Sequence, residues 1–198
     1  MDPARIVADH LIWESIRAEC AEAAANEPLL AGFLSHVVLS QPDLETALAY
    51  ILAAKLDNAT LPALSLRDII LDVLRDEKCI QNAIRADLQA VVQRDPAAAG
   101  YANPLLYFKG FHSIQAYRVA HSYWERDRHA LALYLQSRIS EVFAVDIHPA
   151  ARIGKGIMFD HATSVVIGET AVVEDDFSML HEVTLGGSGK EGGDRHPK

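Results

Sequence analysis

The chain has 198 residues, half of them hydrophobic, with 18 Lys and Arg against 27 Asp and Glu for a net charge of −9. That is enough chain for one large domain or two small ones, and the dispersed acidic charge argues against nucleic acid or an anionic membrane as the main partner. No apolar run reaches transmembrane length, and Met1-Asp2-Pro3-Ala4-Arg5 leads into no secretory signal, so the cytoplasm is the expected location.

Residues 1–144 read as helix throughout. Pro3 suits a first turn, followed by Ile6, His10, Trp13, Ile16 and Cys20 at helical spacing. Pro28 opens a second segment through Leu29, Phe33 and Val37, and Pro42 a third through Leu44, Leu48, Ile51 and Leu52. Ser65 with Asp68 resembles a capping box. It would start the longest helix, whose stripe is Leu66, Ile70, Val73, Ile80, Ile84, Leu88 and Val91, ended by Asp95-Pro96. Residues 96–102 form a hinge. A helix from Asn103-Pro104 carries Leu105, Phe108, Phe111, Ile114 and Tyr117, and a last one covers His129 to Phe143. Cys20 and Cys79 both read as buried thiols rather than a disulfide.

From residue 145 the period changes to six. Ile147, Ile153, Phe159, Val165, Ala171, Phe177 and Val183 recur at that interval, which suits one short strand plus one tight corner. Three such units make one turn of a left-handed parallel β-helix, with the apolar residue stacking inward on its equivalent eighteen residues on. The fold class is therefore α+β: a helical domain over 1–144 and a β-helical domain over 145–198. About two coils are present. The glycine-rich run from Gly186 to Lys198 should be a mobile excursion from the coil. Nothing after it caps the solenoid, so the chain reads as a truncated piece of a longer protein.

Several residues could carry chemistry. Asp160-His161 follows the inward Phe159, and Asp146 lies fifteen residues before His161, on the same or an adjoining wall. An imidazole beside a carboxylate makes a general base near neutral pH, although both also suit ordinary β-helix corners. Arg195-His196 suits an anion, or is a solvated loop. Asp95 suits a helix stop. His10, His36, His112, His121 and His129 fall in helices, and His148 at a corner. His161, His181 and His196 are the set that could hold zinc, but one lies on the glycine-rich loop, and no metal is expected.

Longer stretches resemble a known family. Asp146-Ile147-His148-Pro149-Ala150-Ala151-Arg152-Ile153-Gly154, Asp160-His161-Ala162-Thr163, Val166-Ile167-Gly168-Glu169-Thr170-Ala171 and Gly192-Gly193-Asp194-Arg195-His196-Pro197-Lys198 resemble serine O-acetyltransferases. So do Arg94-Asp95-Pro96 and Pro104-Leu105-Leu106-Tyr107-Phe108-Lys109-Gly110-Phe111-His112 in the helical half. The resemblance implies transfer of acetyl from acetyl-CoA to L-serine in cysteine biosynthesis, with no tightly bound cofactor. It implies His161 as base with Asp146 its partner, Asp95 and Asp160 on the serine ammonium, and Arg195 and His196 on its carboxylate. Gly186 and Gly187 would border the CoA site, whose remainder lies in later coils. It further implies β-helix trimers joined into a hexamer by the helical domains, sites at clefts between subunits, and competition by L-cysteine. A C-terminal tail absent here would dock into O-acetylserine sulfhydrylase. Other readings are a hexapeptide acyltransferase for another acceptor and an inactive oligomerisation fragment. Ser164 stands where the family usually has glycine, and His181-Glu182 replaces glutamine with a small residue.

Overall fold

The computed structural model describes residues 3–187, 193 and 195–198, with side chains from Leu11 onward. The side chains of Ile6 and His10 lie outside the described residues, as do 188–192 and 194 of the glycine-rich run.

Helices fill the first part: α1 Pro3–Asn26, α2 Pro28–Leu34 running into a π-helical turn Ser35–Leu39, α3 Leu44–Leu56, α4 Ala63–Asp76, α5 Lys78–Arg94, α6 Ala102–Tyr107, α7 Lys109–Glu125 and α8 His129–Phe143. Two expected helices are each split. The stripe through Leu66 to Val91 breaks at Glu77, whose backbone is extended (φ −103°, ψ 96°). Its carboxylate is engaged by Ser122 on α7 and, at 2.7 Å, by Arg126 just past the end of that helix, and those bonds favour a corner over a continuous helix. The second split falls at Phe108, also extended, between α6 and α7. Ser65 is not a cap. α4 starts two residues earlier, and the Asp57 carboxylate takes the Ala63 N–H at 2.7 Å. Cys20 is buried, and its thiol is pushed up to about 11 by burial and secondarily by Glu19. Cys79, expected inside, is exposed.

α7 is the central element. Nearly every residue from Gly110 to Tyr123 is buried, polar ones included, as expected of a helix packed on all sides. It lies against α4, α5, α6 and α8 on the helical side and against the coil on the other. Gly110 is what permits that second contact: a Cβ there would stand 2.0 Å from the Phe159 carbonyl oxygen.

The coil begins one residue after α8. Its strands are β1 Val145–Ile147, β2 Arg152–Ile153, β3 Met158–Phe159, β4 Val165–Ile167, β5 Val172–Val173, β6 Ser178–Met179 and β7 Thr184–Leu185. They stack in parallel as three walls, β1-β4-β7, β2-β5 and β3-β6. The register corrects the expected eighteen-residue stacking. Val145 pairs with Val165, Arg152 with Val172 and Met158 with Ser178, twenty residues on, whereas Val166 pairs with Thr184, eighteen on. The two additional residues sit between β3 and β4, at 160–164. Ile147 therefore stacks under Ile167, not Val165. Phe177 is 38% exposed, while its first-coil counterpart Ile157 is buried under α5.

One buried group joins the halves. Asp87 on α5 is fully buried. It accepts from Gln115 Nε2 (2.9 Å), Arg118 Nη2 (2.6 Å) and the Ile157 N–H of the coil (2.8 Å). Arg118 also donates to the Gly154 carbonyl at 2.8 Å. Burial pushes the Asp87 carboxyl up, and the Arg118 charge and these hydrogen bonds oppose it. A carboxylate so placed is stable only with its partners. Arg118→Ala should therefore destabilise the protein by about 3–5 kcal/mol, read as a lowered midpoint in denaturant unfolding. Asp87→Ala with Arg118→Met should recover much of the loss.

Candidate functional site

The 160–164 corner is the most distorted backbone among the described residues. His161, Ala162 and Ser164 have φ of +55°, +58° and +61°. Such conformations cost of order 1–3 kcal/mol each and persist only where surroundings fix them. Here Ser164 N donates to Ala144 O and Glu182 N to Thr163 O, each at 2.8 Å, and Lys109 donates to the Thr163 hydroxyl. Ala162 is buried as the plug of the corner, and the two additional residues leave the His161 side chain 75% exposed.

His161 opens onto a cavity of about 350 Å³ between the end of α5, the start of α7 and β3. Asp95, Asp160, Lys109, Tyr107 and Phe108 share its lining. Asp160 Oδ1 lies 3.9 Å from His161 Nε2, and the Asp160 backbone is pinned to Met179 O at 2.8 Å. Asp95 Oδ1 accepts from its own Ala97 N–H at 2.8 Å, an Asx turn that closes α5. Two carboxylates and an imidazole around a small pocket can hold a cation and accept a proton.

Asp146 is not joined to His161 within the chain. It sits in the middle of β1, under Val166, and Gln136 Nε2 on α8 donates to it at 2.7 Å. No hydrogen bond between Asp146 and His161 occurs among the described residues. His161 stands on the lengthened corner between β3 and β4, whereas Asp146 stands on the β1-β4-β7 wall.

Arg195 and His196 also lie elsewhere. They fold onto the next corner of the coil, between β4 and β5. Thr170 Oγ1 accepts from both backbone N–H groups at 3.2 Å and meets His196 Nδ1 at 2.8 Å. Arg195 pairs with Glu169 at 3.2 Å, and Pro197 O accepts from Val172 N. Gly168 leaves room for the His196 ring, since a Cβ there would stand 1.9 Å from it. These residues are thus docked, against the expected excursion. Gly187 packs on Arg195, and Gly186 follows β7. Within one chain the acidic pocket and the basic pair occupy different corners of the prism.

The other histidines do different work. His112 is fully buried, burial lowers it to about 4, and it donates through Nε2 to Leu105 O. His148 meets Trp124 edge-on and is lowered by burial. His161 and His181 approach edge-on at 6.1 Å, but His196 is on its separate corner, so the candidate zinc set is not assembled. Sequence reasoning did not single out Lys109, Arg118 or Asp87. Asp87 had a signal: it lies three residues from Ile84 and four from Val91, on the buried face of α5.

A helical domain packed on a left-handed hexapeptide coil, with an imidazole at a coil corner, defines the hexapeptide-repeat acyltransferase class. Residues 12–116 match the model of the serine acetyltransferase N-terminal region. The chain is 54% identical to serine acetyltransferase of Haemophilus influenzae over 94% of this chain and 70% of that protein. It superposes on soybean serine acetyltransferase complexed with serine at a TM-score of 0.94, with 51% identity over 96% of this chain and 78% of that one. A serine acetyltransferase in complex with cysteine gives 0.93, with 53% identity and the same coverage. The chain belongs to the serine acetyltransferase family. Some relatives are longer, and it spans 58% of serine acetyltransferase 2 of Arabidopsis thaliana.

The left-handed φ of +61° at Ser164 is a conformation that glycine adopts without steric cost and serine does not. Ser164→Gly should stabilise the protein by about 1 kcal/mol and raise its melting temperature by about 2–4 °C, measured by differential scanning calorimetry.

Proposed function

We propose that the protein transfers acetyl from acetyl-CoA to the hydroxyl of L-serine, giving O-acetylserine and CoA as a step toward cysteine. The observation that carries this reading is the cavity holding His161, Asp95 and Asp160 on a chain of this family. His161 takes the hydroxyl proton as the serine oxygen attacks the thioester carbonyl. The tetrahedral intermediate collapses with loss of the CoA thiolate, and the proton goes to the sulfur. Asp160 beside the ring stabilises the imidazolium, and Asp146, on the neighbouring wall and bonded to Gln136, acts on it only at longer range, without a direct bond in this chain. Asp95 and Asp160 hold the ammonium, Arg195 and His196 the carboxylate, and Gly186 and Gly187 border the acetyl-CoA chain.

Because the acidic and basic groups sit at different corners, one site needs two copies. A trimer about an axis running beside the coils, parallel to them, would set the Arg195 corner of one copy against the His161 corner of the next. Residues 145–198 thus act as the catalytic part. Residues 1–144 supply Asp95 and the assembly surface, where Leu29 is 91% exposed and Phe33 44%. That apolar face suits a second trimer. L-cysteine, with sulfur in place of oxygen, presents the same ammonium and carboxylate and competes for the pocket. Among the described residues no helix is long and apolar enough to cross a membrane, and we place the enzyme in the cytoplasm. Contact with O-acetylserine sulfhydrylase is assigned to the C-terminal tail of longer relatives.

His161→Ala should lower turnover roughly 10²–10⁴-fold, the usual worth of a general base, in thiol release from acetyl-CoA with L-serine. Near-normal turnover would sink the assignment. Asp95→Asn and Arg195→Ala, each impaired alone, should regain about a quarter of wild-type sites when reassembled together, since each shared site then draws its halves at random. No recovery on mixing would place both subsites in one copy.

A further inference from the structure

We propose that Arg94 is a positioning residue for Asp95 and, through it, sets the pocket's affinity for an amino-acid ammonium group. This rests on the acetyltransferase reading above. Arg94 is the last residue of α5. Its guanidinium donates to Gly156 O and Ser178 Oγ, each at 3.0 Å, and to Asp176 Oδ1 at 3.3 Å. These acceptors come from two consecutive coils. Gly156 and Asp176 occupy stacked corners, both left-handed at φ +71° and +61°, and a Cβ on Gly156 would stand 2.3 Å from Asp176 Oδ1. Met158, two residues past Gly156, pairs with Ser178, and the same strand runs on into Asp160-His161.

The guanidinium therefore ties the end of a helix to the strand that delivers the other half of the pocket. Asp95 is the next residue. Its backbone is extended (φ −100°, ψ 109°) and its Oδ1 is held by the Asx turn. Where Arg94 is anchored decides how far the Asp95 carboxylate stands from Asp160 and His161. An ammonium shared by two carboxylates is sensitive to that separation. A planar fork reaching three acceptors is a task lysine performs poorly. The effect falls on binding and not on acetyl transfer, and it falls alike on serine and cysteine, which carry the same ammonium.

The test uses Arg94→Met and Arg94→Lys in the full chain, each with Asp95 intact and with Asp95→Asn. Arg94→Met should raise KM for L-serine and the inhibition constant of L-cysteine together, by about tenfold or more. kcat and KM for acetyl-CoA should stay within about twofold. Arg94→Lys should recover part of the loss. In the Asp95→Asn background Arg94→Met should add nothing further. Calorimetric titration with L-cysteine gives the same comparison without turnover, so a chain that fails to acetylate serine still reports on Arg94. An Arg94→Met effect that persists in full with Asp95→Asn, or that lowers kcat and weakens acetyl-CoA as well, marks a plain structural clamp and overturns the proposal. If Arg94→Met does not fold, Ser178→Ala with Asp176→Asn removes two acceptors and should produce the same paired weakening.

Discussion

The molecule depends on one buried carboxylate. Asp87 has no route to water, so its negative charge is tolerable only while Arg118, Gln115 and the Ile157 N–H surround it. Those partners come from a second helix and from the coil. The helical layer and the prism cannot separate without stranding a charge in the core. Apolar packing of α7 on β3 supplies adhesion with little preference for position; the Asp87 set supplies the register. The cavity of His161 and Asp95 lies along this same seam, and its shape follows from that register.

The second organising fact is an irregularity. A coil of two or three rungs buries little, and its corners are normally short. At 160–164 the chain spends two additional residues and three left-handed backbones to turn His161 outward. The plug of Ala162, the bonds donated by Lys109 and Glu182 to Thr163, and the one Ser164 donates to the Ala144 carbonyl hold that shape. Distortion concentrated around one imidazole, in an otherwise repetitive scaffold, singles out this corner as the candidate for function.

Much of this was legible in the residues. The period of six marked a β-helix because an inward apolar side chain must recur on each wall, and His129 to Phe143 showed its helix through plain spacing. The longer corner was hidden for a physical reason. Inserting two residues preserves the in–out alternation of strands, so Val165 still faces inward and the six-residue beat still seems to run through. The break at Glu77 was hidden because its cause, Ser122 and Arg126, lies some 45 residues away in sequence. The parting of Asp146 from His161 and of Arg195 from Asp95 follows from where each stands, Asp146 within β1, His161 on the lengthened corner, Arg195 at the corner after β4 and Asp95 at the end of α5, and spacing alone leaves that open when one coil differs in length from the next.

Ala144 is the single residue between α8 and β1, in a left-handed conformation at φ +55°. A joint one residue long, flanked by a helix that rests on the strand it feeds, leaves no slack for a hinge. Helical half and prism therefore turn as one piece. Any rotation that mates the helices of two copies also dictates where their prisms point. In an assembly with one symmetry made by helices and another by coils, the two would be geometrically slaved to each other through that one alanine.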